Sequence, residues 1–271
     1  MPSMGIAGDA RWTSEPQSSD PAASDDARGL RLVTYNIRWG LGADGVHDLD
    51  RTAAVLRLLD ADIVLLNETD VNWRRSGNVD QPAYLAEAAG YPYMYFAPAL
   101  RTRASGGRGA SLYGNTLLSR HPIAHAETVA LPVPLGREPR AALVAQVVAG
   151  GKRLTVVGTH LGLSERERTA QTARLAEIVT GRPGPVVLMG DFNALPGSPE
   201  MAQLLAGPAG LVDAHEFAGR PAGLTFPAGA PSARIDYVLV SADLADRIVA
   251  AQAHAADASD HLPIVVELAW P

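Results

Sequence analysis

The stretch Val186-Val187-Leu188-Met189-Gly190-Asp191-Phe192-Asn193-Ala194 constrains this chain more than any other. Four consecutive apolar residues form the pattern of a short buried strand. Gly190 ends the run, and Asp191 and Asn193 follow two residues apart. Side chains two apart on an extended backbone point to the same side, so a carboxylate and a carboxamide leave the strand end together. Hard cations and attacking waters need oxygen groups held rigidly in this way. The same pair also fits an Asx turn after a strand, and the rest of the chain decides between the two.

A chain of 271 residues has room for one large domain or two small ones, and 47% hydrophobic residues supply a substantial core. The formal net charge of -6 and a pI near 5.6 argue against a dedicated duplex-DNA binder with a basic face. They leave room for a nuclease with a local basic patch. Cysteine is absent, which excludes a disulfide framework, a thiolate metal site and a cysteine nucleophile. Residues 1–28 hold no apolar run of signal-peptide length, and no run of about 18 apolar residues offers a membrane span. A cytoplasmic, monomeric protein is the expectation.

Residues 1–29, rich in Ser, Asp, Ala and Pro without a period, read as a disordered tail before a single domain at 30–271. Strand-like runs are expected at 31–36, 63–66, 91–96, 115–119, 123–129, 141–148, 154–159, 186–189, 235–240 and 264–268. Helical spacing marks 48–59, 81–89 and 164–180, the last opened by Ser164 and Glu167 as a capping box. Another helix opens with Ser198 as N-cap and Pro199 in its first position. Ala97 to Ser111, with three Gly and three Arg, reads as a surface loop. Mixed strands with covering helices give a layered α/β domain, and the pattern leaves open whether it has one sheet or two.

Polar side chains recur where these strands begin or end. Asn36 ends the first and Glu68 follows the second. His160 closes the run at 154–159, and Asp236 opens the strand that leads to Val240. Asp260 and His261 precede the last strand. Each alone has an ordinary explanation as a turn former, a solvated acid or a satisfied core histidine. A carboxylate in a buried strand is harder to dismiss, since an unpaired buried charge costs several kcal/mol. Adjacent strand ends converge, so one cleft has room for all of these groups. Asp, Glu and Asn oxygens suit Mg²⁺ or Mn²⁺ rather than zinc. Histidines beside carboxylates suit acid–base work near neutral pH, and arginine suits a phosphate. Together they point to metal-assisted attack of water on a phosphate ester.

Eight short motifs, in order, carry a family resemblance: Thr34-Tyr35-Asn36-Ile37-Arg38, Asn67-Glu68, Tyr113 to Arg120, Glu138-Pro139-Arg140, Thr159-His160-Leu161-Gly162, Gly190-Asp191-Phe192-Asn193, Arg234-Ile235-Asp236-Tyr237 and Ser259-Asp260-His261-Leu262-Pro263. From about residue 31 to 268 the chain resembles the endonuclease/exonuclease/phosphatase superfamily of metal-dependent phosphoesterases. The resemblance implies a four-layered α/β sandwich, two mixed β-sheets packed face to face with helices outside. It implies Glu68 as principal metal ligand, with Asn36 and Asp260 close by, and Mg²⁺ or Mn²⁺ as the ion. Asp191 and Asn193 resemble the pair that orients the attacking water. His261 resembles the base or phosphate-polarising histidine, oriented by Asp236, and His160 the second histidine. Arg140 and Asn115 resemble substrate contacts. Two departures stand out. Asn67 precedes the metal acid where Gln is commoner, and His160 separates the chain from the apurinic endonuclease branch.

Substrate choice falls to the loops. Val71–Gln81 carries Trp73, Arg74 and Arg75, and Ala99–Gly109 carries Arg101, Arg103 and Arg108. Arg75 and Arg103 are the expected phosphate-recognising rim. Such a rim serves a nucleic-acid backbone or a phosphorylated headgroup equally well. The acidic total charge favours a small or lipid-derived phosphate ester. An endo- or exonuclease acting on DNA or RNA is the alternative, and a catalytically silent binding module of the same fold is a second.

Overall fold

In the computed structural model, residues 29–103, 109–218 and 223–270 are described. The expected tail lies outside them apart from Gly29, and so does Arg108. Among the described residues, twelve strands run in chain order: β1 Leu30–Asn36, β2 Ile63–Val71, β3 Tyr93–Arg101, β4 Leu112–Ser119, β5 Ile123–Ala130, β6 Ala141–Ala149, β7 Lys152–His160, β8 Val186–Asp191, β9 Val212–Asp213, β10 Asp236–Val240, β11 Ile248–Ala253 and β12 Ile264–Leu268. The α-helices are α1 Leu49–Leu59, α2 Gln81–Ala89, α3 Glu165–Thr180, α4 Pro199–Leu205 and α5 Ala214–Ala218.

The strands form two six-stranded sheets, ordered β11-β12-β1-β2-β4-β3 and β5-β6-β7-β8-β10-β9. Each has one parallel pair at its centre, β1 with β2 and β7 with β8, and antiparallel neighbours outside. The central strands read as continuous apolar runs because both of their faces are covered. On one face, Leu32, Ile63, Leu65, Leu154, Val156, Val187 and Met189 pack between the sheets. On the other, Val33, Val64 and Leu66 meet α1 and α2, while Val157, Val186 and Leu188 meet residues of α3 and α4. The result is the four-layered sandwich, with two sheets inside and helices outside.

Local signals explain the helices. Asp48, Asp80, Ser164 and Ser198 each accept a backbone N–H at their helix's N-terminus, and Ser164 with Glu167 completes the capping box. No helix among the described residues is long and apolar enough to cross a membrane.

One expectation is corrected. Ala97–Arg101 continues β3 rather than forming a loop. Pro98 is tolerated there because β3 is the sheet's edge strand and the β3–β4 register shifts between Pro98 and Leu100.

Candidate active site

Period-two alternation explains where the polar residues gather. The face that buries Leu32, Ile63, Leu65, Leu154, Val156, Val187, Met189, Val238 and Val240 between the sheets continues to Asn36, Asn67, His160, Asp191 and Asp236. The inter-sheet core turns polar at one edge of the sandwich. Register sets the neighbours there: Asn36 lies opposite Asn67, and Asp191 lies between His160 and Asp236. Gly158 lets the sheets close just before His160, since a Cβ there would lie 2.2 Å from Leu65 Cδ1.

Asn67 is fully buried and ties the two sheets together. Its Nδ2 donates to Asn115 Oδ1 at 2.8 Å and to Thr159 O, in the opposite sheet, at 2.8 Å. Its Oδ1 accepts the Asp191 N–H at 2.9 Å. Asn115 extends the stitch by donating to Ala141 O at 3.1 Å. Asn115, expected at the substrate, therefore spends its amide inside the sheet interface.

A β-bulge re-aims the next residue. Between Leu66 and Thr69 the β2–β4 register shifts, and Glu68 takes φ +61°. Left-handed backbone costs a residue with a Cβ roughly 1–2 kcal/mol, so the surrounding contacts hold Glu68 there. Its Oε1 accepts from Asn36 Nδ2 at 3.1 Å, and the same nitrogen donates to Asp191 Oδ2 at 2.9 Å. Asn36 thus spans two carboxylates, while its Oδ1 accepts the Arg38 N–H at 3.0 Å. Asp260 stands nearby on the half-exposed side, paired with Arg38 Nε at 3.3 Å.

The two histidines sit on either side of Asp191. His261 Nδ1 donates to Asp236 Oδ2 at 2.9 Å, and its Nε2 lies 3.8 Å from Asp191 Oδ2. His160 Nδ1 lies 3.3 Å from Arg140 Nη1, and its Nε2 lies 3.4 Å from Asp191 Oδ2. A guanidinium only donates. His160 Nδ1 must therefore be the acceptor, which places the ring proton on Nε2, toward Asp191. Arg140 is also paired with Glu138 at 2.6 Å, and its buried Nε has no partner among the described residues. Asn193 follows Asp191 with φ +50°, its N–H on Asp191 Oδ1 at 2.9 Å and its Nδ2 on Leu161 O at 3.0 Å.

Charge states follow from these contacts. Burial works against a positive His261, yet the adjacent Asp236, followed by Asp191 and Asp260, raises it to about 10. His160 goes the other way: burial, then Arg140 and His261, hold it well below the ordinary histidine range. Burial and the charge of Asp236 push Asp191 up to about 7, against the pull of His261 and Asn36. Burial raises Glu68 as well, partly offset by the Asn36 hydrogen bond. The contacts thus favour a charged His261 and a neutral His160 on either side of Asp191, whose affinity for a proton burial raises.

Ligand atoms of Asp191, Asp236 and His261 lie within 4.8 Å of one another. Asp236 Oδ1 is buried without a partner among the described residues. With Glu68 and Asp260 beside them, this is an oxygen-rich, carboxylate-dominated set that suits a hard divalent cation.

Two expected rim residues behave differently. Arg75 is committed to the fully buried Asp70, through Nε and Nη2 at 2.9 Å each, and lies over Trp39, Trp73 and Tyr113 at 5.0–5.3 Å. That use corrects the picture of a free phosphate clamp. Arg103 is exposed, just beyond the end of β3. Sequence reasoning missed Asn67 as a working residue.

Comparison with known proteins shows the family and the fold. A model of the Endonuclease/Exonuclease/phosphatase family matches residues 33–261. YbhP of Escherichia coli K12 is 32% identical over 256 residues, covering 88% of this chain and 96% of YbhP. The crystal structure of an endonuclease/exonuclease/phosphatase from Beutenbergia cavernae superposes with a TM-score of 0.74 at 30% identity, covering 89% of this chain and 72% of that one. A mannosyl-6-phosphatase from Bacteroides thetaiotaomicron shares the fold, with a TM-score of 0.72 at 17% identity over 89% of this chain and all of its own.

Proposed function

We propose that this chain, which belongs to the Endonuclease/Exonuclease/phosphatase family, is a divalent-metal-dependent hydrolase of phosphate esters. The observation that carries the proposal is the geometry of the edge, where His261 is held on Asp236 at 2.9 Å and the Nε2 atoms of His160 and His261 lie 3.4 and 3.8 Å from one oxygen of Asp191. Asp191 accepts a proton from the attacking water, with Asn193 beside it to orient that water. His261, held by Asp236, presents Nε2–H to a phosphoryl oxygen and offsets the charge that develops there. Arg140 stabilises the phosphate, and the neutral His160 donates a hydrogen bond from its Nε2–H to the leaving oxygen, which takes its proton from solvent. Glu68 and Asp260, with Asn36 alongside, would hold Mg²⁺ or Mn²⁺, which supplies Lewis-acid polarisation of the phosphate when bound.

A small or lipid-derived phosphate ester fits best. Net charge is -6 and Arg75 is paired with Asp70, which leaves exposed Arg74, Arg101 and Arg103 as the rim's positive charge, enough for a single phosphate group but short of the broad basic face of a duplex binder. The test is hydrolysis of bis-p-nitrophenyl phosphate and of p-nitrophenyl phosphate with Mg²⁺, with Mn²⁺ and with EDTA. Diester cleavage abolished by EDTA supports a phosphodiesterase, and monoester cleavage alone supports a phosphatase. Faster cleavage of single-stranded DNA or RNA than of either ester would move the assignment to a nuclease. Binding of phosphate esters without turnover of any of them would leave only a binding module.

A further inference from the structure

The loop from β5 to β6 begins at Leu131 and returns at Arg140, closed by Leu131 N–H on Arg140 O at 2.9 Å. It brings a carboxylate back with it. Glu138, two residues before the return, lies 2.6 Å from Arg140 Nη1. The two side chains differ sharply in exposure, 7% for Arg140 and 46% for Glu138. The carboxylate therefore stands on the solvent side of a buried guanidinium, the side from which a phosphate must arrive. Its charge reaches into the site. Burial raises the Tyr113 hydroxyl, and the charges of Glu68, Arg140 and Glu138 all act on it as well.

From Glu138 the site runs as one continuous line of charged and polar groups. Arg140 Nη1 is 3.3 Å from His160 Nδ1, and His160 Nε2 is 3.4 Å from Asp191 Oδ2. That oxygen is 3.8 Å from His261 Nε2, and His261 Nδ1 is 2.9 Å from Asp236 Oδ2. Each cation in the line already faces a carboxylate. The same holds around Asn36, where Arg38 pairs with Asp260 at 3.3 Å. With Glu68 counted, carboxylates outnumber cations along this edge, and Glu138 is the one with no part in the chemistry described above. An ion pair with one partner half exposed adds little stability, so stability does not explain the placement. A buried arginine meant for any phosphate would be left open to it.

We infer that Glu138 is a specificity-determining residue, which turns the site toward phosphodiesters by repelling the second negative charge of a monoester. A diester carries one charge and needs only the attraction that Arg140 has left to give. A monoester approaches two charges above its second pKa of about 6, and the extra charge meets the Glu138 carboxylate. At a separation of a few ångströms near a protein surface, one extra unit of like charge weakens binding roughly tenfold or more. The inference rests on the phosphoesterase reading for its chemistry, and on the β5–β6 loop for the residue that selects.

The experiment compares methyl 4-nitrophenyl phosphate, a diester, with 4-nitrophenyl phosphate, a monoester, at pH 8 with Mg²⁺ and with Mn²⁺. The leaving group is the same, and intrinsic reactivity cancels when the ratio of the two kcat/KM values is compared between proteins. The parent chain is set beside Glu138→Gln, which keeps an oxygen acceptor for Arg140 and loses the charge. A second control, Glu177→Gln, removes an exposed carboxylate near the C-terminal end of α3. The parent should favour the diester. Glu138→Gln should raise monoester kcat/KM about tenfold relative to the diester, through KM rather than kcat, and Glu177→Gln should leave the ratio unchanged. Equal losses for both esters in Glu138→Gln would reduce Glu138 to a prop for Arg140 and overturn the inference. An unchanged ratio, or a parent that favours the monoester, would overturn it too. NMR titration with methyl phosphate and dimethyl phosphate, without divalent ions, reads the same selection without turnover. A shift of about tenfold there in Glu138→Gln, with neither nitrophenyl ester cleaved by the parent, would sustain the selection and overturn the phosphoesterase. No shift there would overturn the selection.

Discussion

Replacing Asp236 by Asn tests the pair on which the proposed chemistry turns. Asp236 is buried, and its Oδ2 holds His261 Nδ1 at 2.9 Å. That contact keeps His261 protonated in the fold, with its pKa raised from 6.5 to about 10. A histidine whose folded pKa lies above its unfolded value adds stability that is complete below pH 6.5. That stability is lost as pH rises toward 10. Breaking a buried charged pair costs about 3–5 kcal/mol. The asparagine variant should therefore lose roughly that much at pH 6, and much less at pH 10, where the parent has already lost the contribution. Urea melts of both proteins at pH 6, 8 and 10 measure the difference directly. In the variant only Asp191 and Asp260 oppose burial, so the His261 ring should titrate well below the parent's when followed by NMR. Turnover should fall by about 10²–10⁴-fold, because an asparagine can accept from either tautomer's proton or donate to the bare nitrogen and no longer fixes the ring. A pH-independent stability difference, or a His261 ring still charged at pH 8 in the variant, would refute the reasoning.

Four further outcomes are expected. Asn67→Leu strands the Asp191 N–H, Thr159 O and Asn115 Oδ1 between the sheets, and chemical melts should show a loss of about 3 kcal/mol or more, with each stranded group costing about 1–3 kcal/mol. Glu68→Gln should abolish metal-dependent turnover yet raise the melting temperature of the metal-free protein, because it removes a desolvated charge from beside Asp260; a lowered melting temperature would count against that electrostatic account. His160 is held neutral in the fold, so the unfolded chain binds the extra proton and stability falls as pH drops below 6.5. His160→Gln should flatten that acid limb in melts between pH 7 and pH 5. His261→Ala should lower turnover by about 10²–10⁴-fold, and a loss under tenfold in steady-state assays would move its role elsewhere.

The sequence made the helices and the central strands legible because their signals are local. Asp48, Ser164 with Glu167, and Ser198 with Pro199 mark helix starts where the structure has them. Apolar runs such as Ile63–Leu66 and Val186–Met189 announce strands covered on both faces. Polar groups at strand ends were legible as a class, and the structure brings Asn36, Glu68, His160, Asp191, Asn193, Asp236, Asp260 and His261 to one edge.

What escaped depends on pairing partners rather than local pattern. The bulge that re-aims Glu68 exists only in the register between β2 and β4. Asn67 looks like any strand-end amide until Thr159 and Asp191 arrive from the other sheet. Arg75 reads as a free rim cation because the sequence does not show that Asp70, five residues earlier near the end of β2, is buried and faces it. Ala97–Arg101 carries Pro98, which argues against a strand unless the strand is known to be an edge. β11, Ile248–Ala253, is half alanine, too weak a pattern to declare itself.

The central claim is that the polar end of the inter-sheet face holds a divalent ion through Glu68 and turns it to phosphoester hydrolysis. Mn²⁺ binding, followed by water-proton relaxation in the parent chain and in Glu68→Gln, tests it most directly. The parent should bind one or two ions, and the variant should bind at least tenfold more weakly while keeping its circular dichroism spectrum. Equal Mn²⁺ affinity in the two proteins would contradict the claim and move the metal, if there is one, to other residues.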